Sequence, residues 1–195
     1  MKSDIAKYQE NNDIGKSAFK RYWHAYGGSL ALVKSLYLWS ALALTLVLYP
    51  AWSQPGWWSD VISIMPNLLG FSLGGYALWM SIGDDNFKNL IIRNGDKNRP
   101  SPYMQVNATF AHFIMLQLFA LLTALTAKTF YFTLAESNPF YPLTQTAGFQ
   151  FFCVAGYAIG YFLFIYALLS ALAATLALFR VSSWYDIMKR NNQHL

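Results

Sequence analysis

The chain has 195 residues, of which 55% are hydrophobic and only 12% are charged, and its formal net charge is +5. The apolar residues fall in continuous runs rather than alternating with polar ones, which is typical of a multi-pass membrane protein and excludes an ordinary soluble domain. The basic residues flank these runs instead of clustering on a soluble segment, so the positive charge does not indicate direct binding to nucleic acid.

Residues 1–29 are predicted to form a basic cytoplasmic segment that contains an amphipathic helix. Aromatic side chains recur at Phe19, Tyr22, Trp23 and Tyr26 and share one helix face, while the basic residues lie off that face. The pattern predicts a helix that lies in the headgroup layer; the alternative is a helix whose aromatic face docks on the protein itself. The residues expected to contact the membrane surface or a partner are Lys16, Lys20, Arg21, Trp23, Arg93, Lys97 and Arg99.

Four apolar stretches predict an all-α polytopic membrane protein, a four-transmembrane-helix bundle over residues 30–180 followed by a cytoplasmic tail over residues 181–195. The spans cover about residues 30–49, 61–82, 104–127 and 147–179, and each has the ~20 residues that a ~30 Å hydrocarbon core requires. The first should stop at Pro50, and the next loop holds Trp52, Trp57 and Trp58, which predict an aromatic belt at the far surface. The last span exceeds the core, so it must tilt, kink or project into the cytosol.

The distribution of Lys and Arg predicts the orientation of these spans. Twelve of the fourteen lie in the N-terminal segment, the middle loop or the tail, whereas the other two loops contribute Lys128 alone and Lys34 lies inside the first span. Because cytoplasmic loops carry the excess of basic residues, both termini are expected in the cytoplasm, and we expect a bacterial inner membrane. A basic inner surface also predicts attraction to anionic lipid headgroups.

The second span carries a narrow face that is nearly free of bulky side chains. Steps of four and three residues place its small or short polar members on one side of a helix, and these are Ser63, Asn67, Gly70, Gly74, Ala77 and Ser81. The fourth span has a similar face formed by Gly156, Gly160, Ala167, Ser170, Ala174 and Ala177. Small residues let helices approach closely in lipid, so both faces predict either packing within one subunit or a subunit interface or pore lining made by several copies.

The third span is the most polar of the four and contains a histidine. His112 has Thr109 and Gln105 one and two turns away, and a titratable group in a membrane is costly enough to suggest pore gating, proton relay or pH sensing. The alternative is a neutral histidine bonded to a neighbouring helix. Gln117 lies near mid-membrane and is expected to bond to a polar group on another helix or another copy.

One motif admits an enzymatic interpretation. The segment Gly70-Phe71-Ser72-Leu73-Gly74 matches the G-x-S-x-G of serine hydrolases, and together with His112 it resembles the Ser–His pair of rhomboid-type intramembrane proteases. The strand-turn-helix context of the motif is absent and Ser72 faces away from the two glycines, so no catalytic residue is predicted. With no phosphate-binding glycine loop and no metal-ligand cluster in the sequence, neither a cofactor nor a metal is expected.

These patterns together predict a non-enzymatic integral membrane protein that forms a homo-oligomeric, pore-like or membrane-perturbing assembly. The rival prediction is a membrane anchor or sensor whose basic, aromatic cytosolic face recruits a soluble protein, as small membrane subunits do in bacterial phage-defence operons. An intramembrane serine hydrolase that uses Ser72 and His112 is the third interpretation.

Overall fold

The computed structural model describes residues 17–81, 88, 89, 91, 92 and 100–193, and within these ranges the chain is helical without strands. The all-α prediction is confirmed. The helices are α1 (Ala18–Tyr26), α2 (Gly28–Val33), α3 (Leu36–Val47), α4 (Tyr49–Trp52), α5 (Trp58–Ser81), α6 (Pro102–Thr129), α7 (Tyr141–Thr144) and α8 (Ala147–Gln193).

Three helices are long and apolar enough to cross a membrane. Helix α5 has 24 residues, α6 has 28 and α8 has 47. At ~1.5 Å per residue, each exceeds the ~30 Å of a hydrocarbon core. These lengths indicate a multi-pass membrane protein and correspond to the second, third and fourth predicted spans.

The first predicted span is divided rather than continuous. Helix α2 ends at Val33, where the Ser35 amide turns back to donate to the Leu32 carbonyl, and α3 then has only 12 residues. Helix α3 ends before Pro50, because proline lacks the amide that would continue the backbone hydrogen bonds. Near this end of α3, the indole of Trp52 donates to the Thr45 carbonyl at 2.6 Å. The count of four spanning helices is therefore not confirmed.

The last helix runs without interruption through the segment predicted to be a separate tail. Its 47 residues extend over about 70 Å, roughly twice the thickness of a hydrocarbon core. Near its end, Arg190 and Asp186 form an exposed ion pair at 2.9 Å, one helical turn apart. A helix of this length and polarity places its final turns beyond the apolar part of a bilayer.

The chain divides into two compact units. One contains the described parts of residues 1–35, 82–112 and 177–195, and its buried side chains include Ala25, Val106, Phe110 and Val181. The other contains residues 36–81 and 113–176. Helices α6 and α8 each contribute to both units.

The second unit buries several polar side chains beside its apolar core and exposes many large apolar side chains on its surface. Thr45, Ser72, Gln117 and Ser170 are buried, whereas Phe71 is 80% exposed. Other large apolar side chains on its surface are Leu46, Val47, Leu78, Leu122, Phe151, Phe152 and Ile159. A membrane domain has this arrangement, because lipid accepts apolar side chains while polar groups must find partners inside the protein.

Candidate functional site

The small-residue face of α5 lies on the opposite side of the helix from the residues that α5 buries. Val61, Met65 and Trp79 are buried, and at ~100° per residue they lie about 180° around the helix from the small-residue face. All six members of that face are exposed: Ser63, Asn67, Gly70, Gly74, Ala77 and Ser81. A Cβ atom built on Gly70 or Gly74 would meet no described atom within 4 Å. Packing against the described residues of the same chain therefore does not account for this face.

The polar side chains of the α5 small-residue face use their own helix for their donated hydrogen bonds. Ser63 donates to the Asp60 carbonyl at 2.9 Å, and Ser81 donates to the Leu78 carbonyl at 2.8 Å. The Asn67 carboxamide nitrogen donates to the Ser63 carbonyl at 3.3 Å, while its oxygen accepts no hydrogen bond among the described residues. Hydroxyl donors satisfied in this way can face an apolar surface, and Asn67 keeps an acceptor for a partner.

The corresponding face of α8 packs within the chain. Its buried members are Gly160, Ala167, Ser170 and Ala174, whereas Gly156 is exposed and has no described atom within 4 Å of a built Cβ. The indole of Trp57 lies directly on Gly160, so closely that a Cβ there would be 2.9 Å from Cζ2 and 3.3 Å from Cζ3. The two similar sequence patterns thus occupy different surroundings.

The three tryptophans predicted as an interfacial belt are buried in the chain. Trp52, Trp57 and Trp58 are 6%, 3% and 6% exposed. Trp57 and Trp58 contact the ring of Tyr157 at centroid distances of 6.1 and 6.0 Å. The sequence pattern is that of loop residues, and the glycine at position 160, which leaves room for an indole, is the signal that could have indicated their burial.

His112 is bonded to the N-terminal amphipathic helix. The Tyr22 hydroxyl and His112 Nδ1 are hydrogen-bonded at 2.7 Å, and the ring of Tyr26 stacks on the imidazole at a centroid distance of 4.2 Å. Burial raises the pKa of Tyr22 to about 12, and the neighbouring Tyr26 adds to the shift. Part of the aromatic face of α1 thus docks on the protein, which the sequence had left as the alternative.

The other polar residues of this turn of α6 form local hydrogen bonds. Thr109 donates to the Gln105 carbonyl at 2.9 Å, and the Gln105 side chain donates to the Pro100 carbonyl at the same distance. Their contacts therefore stabilise the first turns of α6 and do not reach His112.

Replacing Tyr22 with phenylalanine should loosen α1 while leaving the stacked rings in place. The change removes only the hydroxyl, and losing one such hydrogen bond costs about 1 kcal/mol. We expect faster hydrogen exchange over residues 18–26.

Because the folded-state pKa of Tyr22 exceeds the ordinary value of 10, the contribution of the Tyr22 hydroxyl to stability is complete below pH 10 and is lost as the pH rises toward 12. Equal loss of protection in wild type and Tyr22→Phe between pH 10 and 12 would contradict this role.

Gln117 and Ser72 form a buried polar pair between α6 and α5. Gln117 is 0% exposed and donates from Nε2 to Ser72 Oγ at 2.9 Å. The Ser72 hydroxyl in turn lies within hydrogen-bond distance of the Leu68 carbonyl and, at 3.3 Å, of Gln117 Oε1. Gln117 thus has its expected partner on another helix of the same chain, and the serine of the G-x-S-x-G motif contacts an amide.

The exposed side of α1 carries basic residues next to an open groove. Lys20, Arg21 and His24 are exposed, and the Ser17 hydroxyl caps the helix by accepting from the Lys20 amide. A groove of about 460 Å³ is lined by Phe19, Lys20, Trp23, His24, Gly27, Gly28 and Pro100. Lys16, Arg93, Lys97 and Arg99, which were also predicted to contact the membrane surface or a partner, lie outside the described residues.

In the part of the chain that the structure describes, no group of three or more His, Cys, Asp or Glu side chains could hold a metal ion. Comparisons with protein-family models, with curated proteins and with solved structures found no match to this chain.

Proposed function

We propose that the chain forms a non-enzymatic, homo-oligomeric and pore-like assembly in a bacterial inner membrane, in which copies pack through the α5 small-residue face. One observation supports this proposal most directly. The small-residue face of α5 is free of bulky side chains and lies opposite the residues that α5 buries. Acyl chains fill such a narrow groove poorly, whereas the ridge of another helix fits it closely and gains dispersion energy.

The polar residues of the same face favour a proteinaceous or hydrated neighbour over lipid. Asn67 has an amide oxygen to offer, and Ser63 and Ser81 lie toward the two ends of the helix. An unmatched acceptor in hydrocarbon is costly, so association or water would stabilise it. A pore between copies also suits a chain with few spans, which has little room for an internal water path.

We further propose that the chain crosses the membrane four times, with both termini in the cytoplasm. Three crossings, by α5, α6 and α8 alone, would divide the fourteen Lys and Arg residues equally between the two sides. A fourth crossing within residues 28–52 instead puts twelve on one side and Lys128 alone on the other. Cytoplasmic loops carry the excess of basic residues, so the positive-inside rule favours four crossings.

Cysteine labelling should distinguish these two topologies. In a Cys153→Ser background, which removes the single native cysteine, we expect Lys20→Cys and Lys189→Cys to react with a membrane-impermeant maleimide from the same side. Glu136→Cys, in the exposed loop before α7, should react from the opposite side. Labelling of positions 20 and 189 from opposite sides would establish three crossings and contradict the proposal.

Replacing Gly74 with leucine should disrupt self-association. The new side chain would fill the groove of the α5 small-residue face, and we expect association about tenfold weaker, the equivalent of one or two helix-packing interactions. The measurement is the mass of the detergent-purified protein as a function of its concentration. Ala43→Leu, at an exposed small residue of α3, is the matched control and should leave the mass unchanged. An unaltered oligomer in Gly74→Leu would contradict this interface.

Reconstitution into liposomes distinguishes the pore from the anchor. The pore predicts ion flux that Gly74→Leu abolishes and Ala43→Leu preserves. Two observations favour the anchor as the second candidate function: the exposed basic side of α1, and the 47-residue length of α8, whose final turns are polar. A self-associated protein without flux, in a stable stoichiometric complex with a cytosolic protein, would support the anchor instead.

A further inference from the structure

The groove beside α1 combines apolar walls with a basic rim. Phe19 and Trp23 lie one turn apart with their rings parallel, at a centroid distance of 6.4 Å and an angle of 8°. Lys20 and His24 follow at the same spacing, so the two nitrogen-bearing side chains lie next to the two aromatic ones. None of the described residues that line the groove is acidic.

The end of the groove is formed by backbone rather than by side chains. Gly27 and Gly28 join α1 to α2 with φ angles of 101° and 68°, a conformation that residues with a Cβ rarely adopt. A Cβ on Gly28 would also approach Trp23 Nε1 to 3.7 Å. The two glycines therefore produce the sharp turn and leave the groove open beside the indole.

We propose that this groove binds one anionic phospholipid from the leaflet that surrounds α1. Its headgroup phosphate would accept hydrogen bonds from Lys20 and His24, while the upper part of an acyl chain lies along Phe19 and Trp23. The charge of the rim selects an anionic headgroup, and tryptophan side chains favour the headgroup region of a bilayer. A soluble acidic peptide would gain little from the aromatic walls, whereas a phospholipid uses both parts of the groove. The proposal goes beyond the homo-oligomeric assembly and does not depend on it.

Native mass spectrometry of the full-length protein in detergent tests this site directly. Bound lipids are counted while phosphatidylglycerol or phosphatidylcholine is titrated in. We expect phosphatidylglycerol to bind more tightly, and Lys20→Gln to weaken its binding about fivefold, the usual effect of one basic side chain near an anionic headgroup. His24→Gln should weaken it further when combined with Lys20→Gln.

Arg21→Gln is the matched control for this experiment. Arg21 is exposed on the same helix and its replacement removes the same charge, but it does not line the groove. We expect its affinity for phosphatidylglycerol to stay within about twofold of the wild type, since no direct contact is lost. An effect of Arg21→Gln equal to that of Lys20→Gln would overturn the site in favour of diffuse surface attraction. Equal binding of phosphatidylcholine, or displacement of the lipid by millimolar inorganic phosphate, would overturn it as well.

Discussion

Replacing Gly160 with alanine should destabilise the protein by about 2 kcal/mol, the middle of the range for overpacking a filled site. The added methyl group would lie against the six-membered ring of Trp57, 2.9 Å from Cζ2. Trp57 is 3% exposed and contacts the rings of Tyr157 and Tyr161, so its rigid indole can move away only if its neighbours move too. The strain must then be relieved by moving α8 or the segment that precedes α5.

Gly156→Ala is the matched control for this prediction. It lies one turn earlier in the same helix, so the gain in helix propensity from glycine to alanine, about 1 kcal/mol, is the same at both positions. A Cβ at position 156 meets no described atom within 4 Å, so Gly156→Ala should leave stability unchanged or raise it. Equilibrium unfolding in mixed detergent micelles, followed by circular dichroism, measures the difference. Equal stabilities of the two variants would contradict the contact between Gly160 and Trp57.

Gly160 and Gly74 belong to similar sequence patterns but have different surroundings in the structure. The sequence predicted both small-residue faces as places where something bulky can approach; Trp57 does so at Gly160 in α8, and for the α5 face this stays a prediction. It could not tell that an indole of the same chain covers Gly160 while Gly74 is uncovered, because that depends on where the loop carrying Trp57 returns. Three tryptophans in a predicted loop without a basic residue have the same sequence pattern whether they lie in the headgroup layer or inside the chain.

Length and hydropathy were sufficient to predict the long helices, but they did not predict that the first span is divided. Helices α5, α6 and α8 begin and end within a few residues of their predicted bounds, except that α8 continues into the tail. A long run of apolar residues predicts a helix, but the break at Lys34 and Ser35 has no glycine or proline to indicate it. The partner of His112 was also beyond reach, because Tyr22 is 90 residues away in the chain.

Substitutions of the two members of the buried Ser72–Gln117 pair should destabilise the protein by different amounts. Ser72→Ala removes the hydroxyl that accepts from Gln117 Nε2 and leaves a carboxamide unpaired at a position with no exposure. We expect a loss of about 1–2 kcal/mol, the upper part of the range for a hydrogen bond between helices in a membrane. Gln117→Leu should cost less, because the Ser72 hydroxyl still has the Leu68 carbonyl as its acceptor.

The double variant Ser72→Ala/Gln117→Leu should therefore be more stable than Ser72→Ala alone, since both polar partners have been replaced by apolar groups of similar shape. The same unfolding experiment measures this double-mutant cycle.

The double variant also tests the enzymatic interpretation, because a substitution at another residue cannot restore the function of a missing nucleophilic serine. Rescue of stability and function by Gln117→Leu would assign Ser72 to packing between α5 and α6. A cellular function that is lost in Ser72→Ala and stays lost in the stable double variant would instead make the hydroxyl itself the reactive group.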